Sequence, residues 1–474
     1  MSLVFISPDP VKALGLEDFI SNYHVVCTFK HPILEFLKKK KIEVFCLEKF
    51  LEQNKDALKN INIKNYLEKF RNTGKLIANN HVLNYLDKLK RKNEMDLKIL
   101  AFKPNPRFFK VCKENNFKIL LPDADIAREL EDKVIFYEIF TKYKKISLLP
   151  YKIGILENFK FENVFKKFEN FVVQKRRGYA GNSTYFIKNK KDFEKLQNEF
   201  PDDEVKITKF ITGPTLTLNA CATKQGIFVS KPFLQITGEK LLSRQKGGTC
   251  GVSFDIDQIC DEKILTEIEN QTKLIGKIMY EKEFRGIFGL DLILTDEQED
   301  SCLRRNDNGV YVIECNPRMT ISVPHFTKRE LASRQKPLLM EHLEEFEGKN
   351  EKWKMKNGKC KEEDSCFPRN DIKGASLILR NKSSKEIILK KTFPAKWHKY
   401  NLKTQKIVET DKGFEFENLP KIDKNELLFF TMFQEKGYIV HPDMEYAEIY
   451  FVENILDKNF KIKKEVLDLI KKCK

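Results

Sequence analysis

From Leu3 to about Pro122, short apolar runs alternate with amphipathic stretches. Val25-Val-Cys-Thr-Phe29, Ile42-Glu-Val-Phe-Cys-Leu47, Ile99–Phe102 and Ile119–Leu121 read as strands. A helix is expected from Pro32, because proline suits a first turn. Its apolar face (Ile33, Phe36, Leu37) runs into Lys38–Lys41, where lysine complements the C-terminal end of the helix dipole. Strand and helix in alternation predict a small α/β domain with a parallel sheet over 1–122. No G-x-G-x-x-G turn follows its first strand, which argues against a dinucleotide site there.

The pattern then changes. Ile126, Leu130, Val134 and Phe140 recur near the helical period, predicting a helix from Asp125 to about Tyr143. Phe171–Gln174 and Thr184–Ile187 read as strands around a Gly-containing turn, followed by a short helix over Asp192–Phe200. Val205–Ile211 and Leu216–Ala222 read as strands around Gly213-Pro214, and Gln271–Tyr280 as a helix. Gly286–Leu294 and Val310–Cys315 predict a hairpin with a long charged loop. This α+β region spans 123–347. A lysine- and glutamate-rich segment over 348–371 reads as a linker. Beyond it, Ala375–Leu379, Leu427–Phe430, Ala447–Val452 and a closing amphipathic helix predict a small β-rich module over 372–474.

Composition narrows the class. A chain of 474 residues exceeds what one core usually serves, so several modules are expected. The 11 cysteines include no C-x-x-C pair, which fits reduced thiols better than a disulfide framework or a zinc site. The N-terminal Met1–Pro8 is too short for a secretory signal, and no long uncharged apolar segment exists. A soluble, cytoplasmic protein without membrane partners is expected. The formal charge of +17 raises nucleic acid as a partner. The excess is mainly lysine spread from end to end, without an RNA- or DNA-binding signature, so a solvated basic surface is the favoured reading.

The chemistry concentrates in Tyr311-Val-Ile-Glu-Cys-Asn-Pro-Arg318 and in Gly286-Ile-Phe-Gly-Leu-Asp291. Glu314 and Asn316 are two apart, so on a strand they share a face. With Asp291 they offer hard oxygen ligands that suit Mg2+, with Mn2+ as an alternative. Arg318 adds a planar fork for phosphate or carboxylate. Cys315 points the other way and reads as core; His325 reads as a structural histidine. The segment Val172-Val-Gln-Lys-Arg-Arg-Gly-Tyr-Ala-Gly-Asn-Ser-Thr184 puts two glycines, two small hydroxyl residues and three cations between two strands, where they could surround phosphate oxygens, although a plain hairpin with a surface loop fits that segment at least as well. Ser243–Gly251 is a second Gly-rich loop that either covers a substrate or is ordinary surface. Arg244 and Arg285 are candidate carboxylate anchors.

The order Asp132-Lys133, VVQ-x-x-x-G-x-x-G, a strand into Ile211-Thr-Gly213, then GLDL and IECNPR resembles the ATP-grasp superfamily over about 123–345. The E-x-N-x-R form is like that of biotin carboxylase, and carbamoyl-phosphate synthetase is another member. The resemblance implies two subdomains holding ATP between them, preceded by an α/β pre-ATP-grasp domain. Carried over by position, Lys133 would reach the nucleotide phosphates. Gln174 falls where a second ATP-binding lysine usually stands, with Lys175 beside it, and Gly178 and Gly181 belong to a closing loop. The strand Lys206–Ile211 would be the hinge that reads adenine through its backbone, with Thr208, Lys209, Phe210 and Ile211 at the nucleotide and Thr215 at the ribose. Asp291, Glu314 and Asn316 would hold the metal, and Arg318 would stabilise a transferring phosphoryl group. The implied activity is an ATP- and Mg2+-dependent ligase that joins a small-molecule or peptide carboxylate to an amine-type (or thiol) nucleophile; a homo-oligomer is compatible. Gln174 and Thr215 also admit an ATP-binding sensor without turnover. Met355-Lys356 is followed by Asn357 rather than methionine, so biotin attachment is not expected.

Overall fold

The computed structural model describes residues 2–54, 62–93, 96–178, 181, 183–257, 259–295, 309–332, 335–348, 374–390, 396–410, 426–431, 437 and 439–473. Ser2–Ile6 (β1), His24–Cys27 (β2), Glu43–Cys46 (β3), Leu97–Ala101 (β4) and Lys118–Ile119 (β5) form one parallel sheet, ordered β3-β2-β1-β4-β5. Val4, Phe5, Ile6, Val25, Val26, Ile99 and Leu100 are all buried, because helices cover both faces. This is the expected α/β domain.

The expected helix over 125–143 is two helices, Ala124–Leu130 and Lys133–Phe140. Asp132 breaks it. Its backbone is extended, and its carboxylate accepts the N–H groups of Val134 and Ile135 at 3.0 and 3.3 Å, starting a new helix. Lys133 is thereby the first residue of the second helix. The helix read as 271–280 spans Glu262–Glu281, because Asp261 caps Ile264 N–H at 2.9 Å one full stretch earlier.

Tyr151–Ile155 (β6), Phe171–Lys175 (β7), Thr184–Ile187 (β8) and Glu204–Lys209 (β9) form an antiparallel sheet ordered β6-β9-β7-β8. Phe171, Val173, Val205 and Ile207 pack on one side with Val164, Phe168, Phe193 and Leu196 of two helices. Strand alternation leaves Val172, Gln174, Lys206 and Thr208 on the opposite face.

A larger sheet stands against that face. It contains Thr215–Thr223 (β10), Gly226–Val229 (β11), Phe233–Thr237 (β12), Thr249–Ser253 (β13), Gly286–Leu294 (β14) and Val310–Asn316 (β15). It does not stop at the end of this region. β13 pairs with Ala375–Arg380 (β16), and Glu445–Phe451, Glu426–Thr431, Trp397–Asn401 and Lys406–Glu409 continue the sheet outward. The strands expected beyond 372 are thus hydrogen-bonded to the preceding region. The segment read as a linker over 348–371 lies, apart from Gly348, outside the described residues.

His342, on the helix Leu338–Glu347, joins the first domain to the large sheet. Its Nδ1 accepts from Ile287 N–H at 3.1 Å, which leaves Nε2 to donate to Leu120 O at 3.0 Å. Gly286, at φ 95°, permits the approach, since a Cβ there would stand 2.4 Å from His342 Nδ1. Burial lowers the imidazole to about 4 from 6.5. The folded state therefore prefers neutral His342. Its contribution is complete above about pH 6.5 and is lost as pH falls towards 4, because only the unfolded chain takes up the proton. Urea unfolding at pH 7.5 and 4.5 should show a loss that is smaller by roughly 2–3 kcal/mol in His342→Gln than in wild type. An equal loss in both would remove His342 as the acid-sensitive joint.

Candidate active site

The β14–β15 hairpin places Asp291 directly opposite Glu314, and Gly289 opposite Asn316. The register shifts between Asp291 and Leu292, whose partner is Val312, so Ile313 is an extra residue on β15. This bulge lets Tyr311 and Glu314, three positions apart, both face the smaller sheet, while Val312 and Cys315 stay in the core. Asn316 Nδ2 donates to Asp291 Oδ2 at 3.3 Å, and Arg318 Nη2 donates to Asn316 Oδ1 at 3.0 Å. The four polar residues singled out from the sequence form one continuous array.

The opposite wall supplies cations. Lys133 is buried and places Nζ 3.1 Å from Glu314 Oε2. Its backbone N–H bonds Arg176 O at 2.9 Å, and Arg176 in turn pairs with Asp132 at 2.7 Å. The first turn of the helix is therefore tied to the end of β7. Lys206 Nζ donates to Ile313 O at 3.0 Å and lies 3.9 Å from the Tyr137 ring centre. Burial, and next the Glu314 charge, push the Asp291 carboxyl up to about 7, partly relieved by a hydrogen bond from Thr217. Burial also works against ionised Glu314, but the ammonium groups of Lys133 and Lys206 outweigh it and hold that carboxyl below its ordinary value. Burial drives Lys206 down to about 7. Two half-buried carboxylates and an amide oxygen on one face, with buried cations on the other, form a polarised cleft.

The sequence profile described as "ATP-grasp domain" matches residues 130–322. This stretch is an ATP-grasp domain. No curated protein matches the chain. Among solved structures, the fold is similar to the biotin carboxylase domain of Hydrogenobacter thermophilus 2-oxoglutarate carboxylase, crystallised with MgADP, ADP and bicarbonate. That match has 11% identity and a TM-score of 0.55, and covers 95% of this chain and 85% of that one. It is also similar to N5-carboxyaminoimidazole synthase from Aspergillus clavatus in complex with ADP and 5-aminoimidazole ribonucleotide (11% identity, TM-score 0.53, coverage 100% and 98%). The synthetase from Staphylococcus aureus complexed with ADP is comparable (13%, 0.54, 100% and 97%). At these identities the likeness concerns the fold.

Within the ATP-grasp domain, Gln174 is buried on the cleft face and donates to Thr184 Oγ1 at 3.2 Å. Lys175 is a correction. It points to the far side of β7, where Nζ pairs with Asp203 at 2.8 Å and sits against the Phe200 ring, so it does not reach the cleft. Thr208 is buried on the cleft face, whereas Lys209 alternates to the other side. Phe210 is 40% exposed and meets Phe186 edge-on, and Ile211 joins Leu149, Ile293 and Tyr311 in a small apolar cluster between the sheets. Thr215 opens β10 opposite Ile293. Arg285 is committed elsewhere: it bonds the carbonyls of Tyr280 and Phe284 and stacks on Tyr280. Arg244 pairs with Asp443 across the C-terminal strands. Among the described residues no group of three His, Cys, Asp or Glu is gathered for a metal. Thr217 and the side chain of Lys206, a residue expected only as backbone of the hinge strand, also face the cleft. Alternation around Thr215 signals the first, and nothing local signals the second.

A cavity of about 270 Å³ adjoins Arg318 and is lined by Lys103, Asn105, Arg128, Glu131, Arg177 and neighbouring prolines and alanines. Arg318 Nε makes no hydrogen bond, and its nearest acid is Glu131 at 3.7 Å. The two Gly-rich segments meet at Gly181 and Gly247. Gly181 has φ 82°, and a Cβ on it would stand 2.9 Å from the Gly247 backbone. Gly181→Ala should force them apart, and tryptic cleavage after Arg177 and Lys246 should accelerate several-fold. An unchanged cleavage rate would mean that the loops do not brace each other.

Proposed function

We propose that the chain is an ATP- and Mg2+-dependent ligase that activates a substrate carboxylate as an acylphosphate for attack by an amine-type nucleophile. The observation that carries this reading is the array Lys133–Glu314–Asp291–Asn316–Arg318 on the walls of one half-buried cleft. The adjoining pair of carboxylates fits a divalent cation: Asp291 is pushed up to about 7 because its burial and the charge of Glu314 are not fully compensated. Asp291, Glu314 and Asn316 would hold Mg2+ (or Mn2+), which when bound screens phosphate charge and orients the γ-phosphoryl group.

The residues of the chain divide the remaining work. Lys133 draws negative phosphate oxygens towards the metal side. Thr208 to Ile211 offer backbone groups and an apolar cluster to the adenine, with Thr215 near the ribose. Arg318 spans the cleft and the cationic cavity, so it would hold the substrate carboxylate beside the γ-phosphorus. A carboxylate oxygen attacks phosphorus and ADP leaves. The nucleophile's nitrogen then attacks the acyl carbon, the carbon–oxygen bond to phosphate breaks, and the nitrogen loses its proton. The Gly178–Gly181 loop and its partner would keep water from the acylphosphate. The solved relatives named above bind ADP, which supports the nucleotide assignment. No helix among the described residues is long and apolar enough to cross a membrane.

Gln174 favours a second reading, nucleotide binding without turnover, because it brings no charge to the phosphates. Phosphate release measured against panels of carboxylates and amines separates the two: tight Mg-ATP binding with no release supports the sensor. Glu314→Ala should weaken Mg-ATP at least tenfold in calorimetric titration, and full turnover in that variant would sink the ligase site. Arg128→Ala with Lys103→Ala should raise the KM for an anionic substrate about tenfold or more while leaving the Kd for Mg-ATP unchanged. An unaltered KM would place the substrate elsewhere.

A further inference from the structure

Lys206 is the least explained charge in the cleft. It is 0% exposed, on β9, in register with Gln174 of β7. Val205 and Ile207 on either side belong to the subdomain core, so alternation turns Lys206 towards the β14–β15 hairpin. There Nζ makes one hydrogen bond, to Ile313 O at 3.0 Å, and lies over the Tyr137 ring. Among the described residues no carboxylate lies within ion-pair distance of it, and the nearby Glu314 is already engaged by Lys133 at 3.1 Å. An ammonium has three donors, and burying one with so little compensation is costly. A lysine that served only packing would be better replaced by an apolar residue. Its position makes sense if an anion completes it. Ile313, whose carbonyl it holds, is the bulged residue immediately before Glu314, so the ammonium sits beside the place where phosphates would meet the metal ligands.

We infer that Lys206 is a phosphate-binding residue of this cleft, supplying from β9 the positive charge that its register partner Gln174 on β7 does not bring. This rests on the reading of the cleft as an Mg-ATP site. The cation has moved one strand sideways, and the side-chain amide it faces acts as an uncharged neighbour. The corollary is that uncharged Gln174 does not leave the phosphates without a second lysine, which removes the main ground for expecting binding without turnover.

The test is calorimetric titration of the full chain with Mg-ATP and, separately, with adenosine. If wild type binds no Mg-ATP, the nucleotide reading itself fails. If wild type binds, Lys206→Met should weaken Mg-ATP at least tenfold while adenosine affinity changes less than about twofold. Unaltered Mg-ATP affinity, or an equal loss for adenosine, overturns the role of Lys206 and leaves the nucleotide reading intact. The charge-transposed double variant, Gln174→Lys with Lys206→Gln, guards against a folding defect in Lys206→Met. It should bind Mg-ATP within about threefold of wild type and at least threefold more tightly than Lys206→Gln alone. No gain over Lys206→Gln overturns the proposal.

Discussion

The organisation of the cleft depends on two half-buried carboxylates being held face to face. Asp291 and Glu314 are register partners on adjacent strands, which fixes their spacing through the backbone. Like charges so placed repel, and burial raises the cost. The arrangement persists because Lys133 stands 3.1 Å from Glu314, and because Asn316 and Thr217 donate to Asp291. Each of those partners is in turn positioned by a different element: a helix N-terminus, the end of β15, and β10, which pairs with β14. The two walls are therefore joined electrostatically across the gap where a ligand would sit.

Features set by local alternation were legible in the chain. The pairing of Glu314 with Asn316 on one face, the burial of Cys315 and the strand–turn–strand around Gly178 and Gly181 all follow from period-two patterning and glycine placement. The parallel N-terminal sheet was legible for the same reason, since strands covered on both faces are nearly continuous apolar runs.

What escaped the sequence reading was decided by contacts distant along the chain. The Ile313 bulge shows only in the register of β15 against β14. Lys206 looks like any exposed strand lysine until β9 is laid beside β7, thirty residues away. Asp132 was read as a helical residue, because the same carboxylate can lie within a helix or cap a new one, and its buried pairing with Arg176 selects the cap.

The union of β13 with β16 has a further meaning. Gly251 lies so close to the neighbouring strand that a Cβ on it would stand 2.0 Å from Ser376 O, and Arg380 bonds the carbonyl of Thr249. β13 would otherwise end the larger sheet with a row of unsatisfied amides, directly after the second Gly-rich segment. Such a bare edge is a template for adhesion to other chains. The C-terminal strands thus act as a built-in shield for this edge. A chain shortened before Ala375 would expose it, so its first failing would be insolubility rather than loss of chemistry.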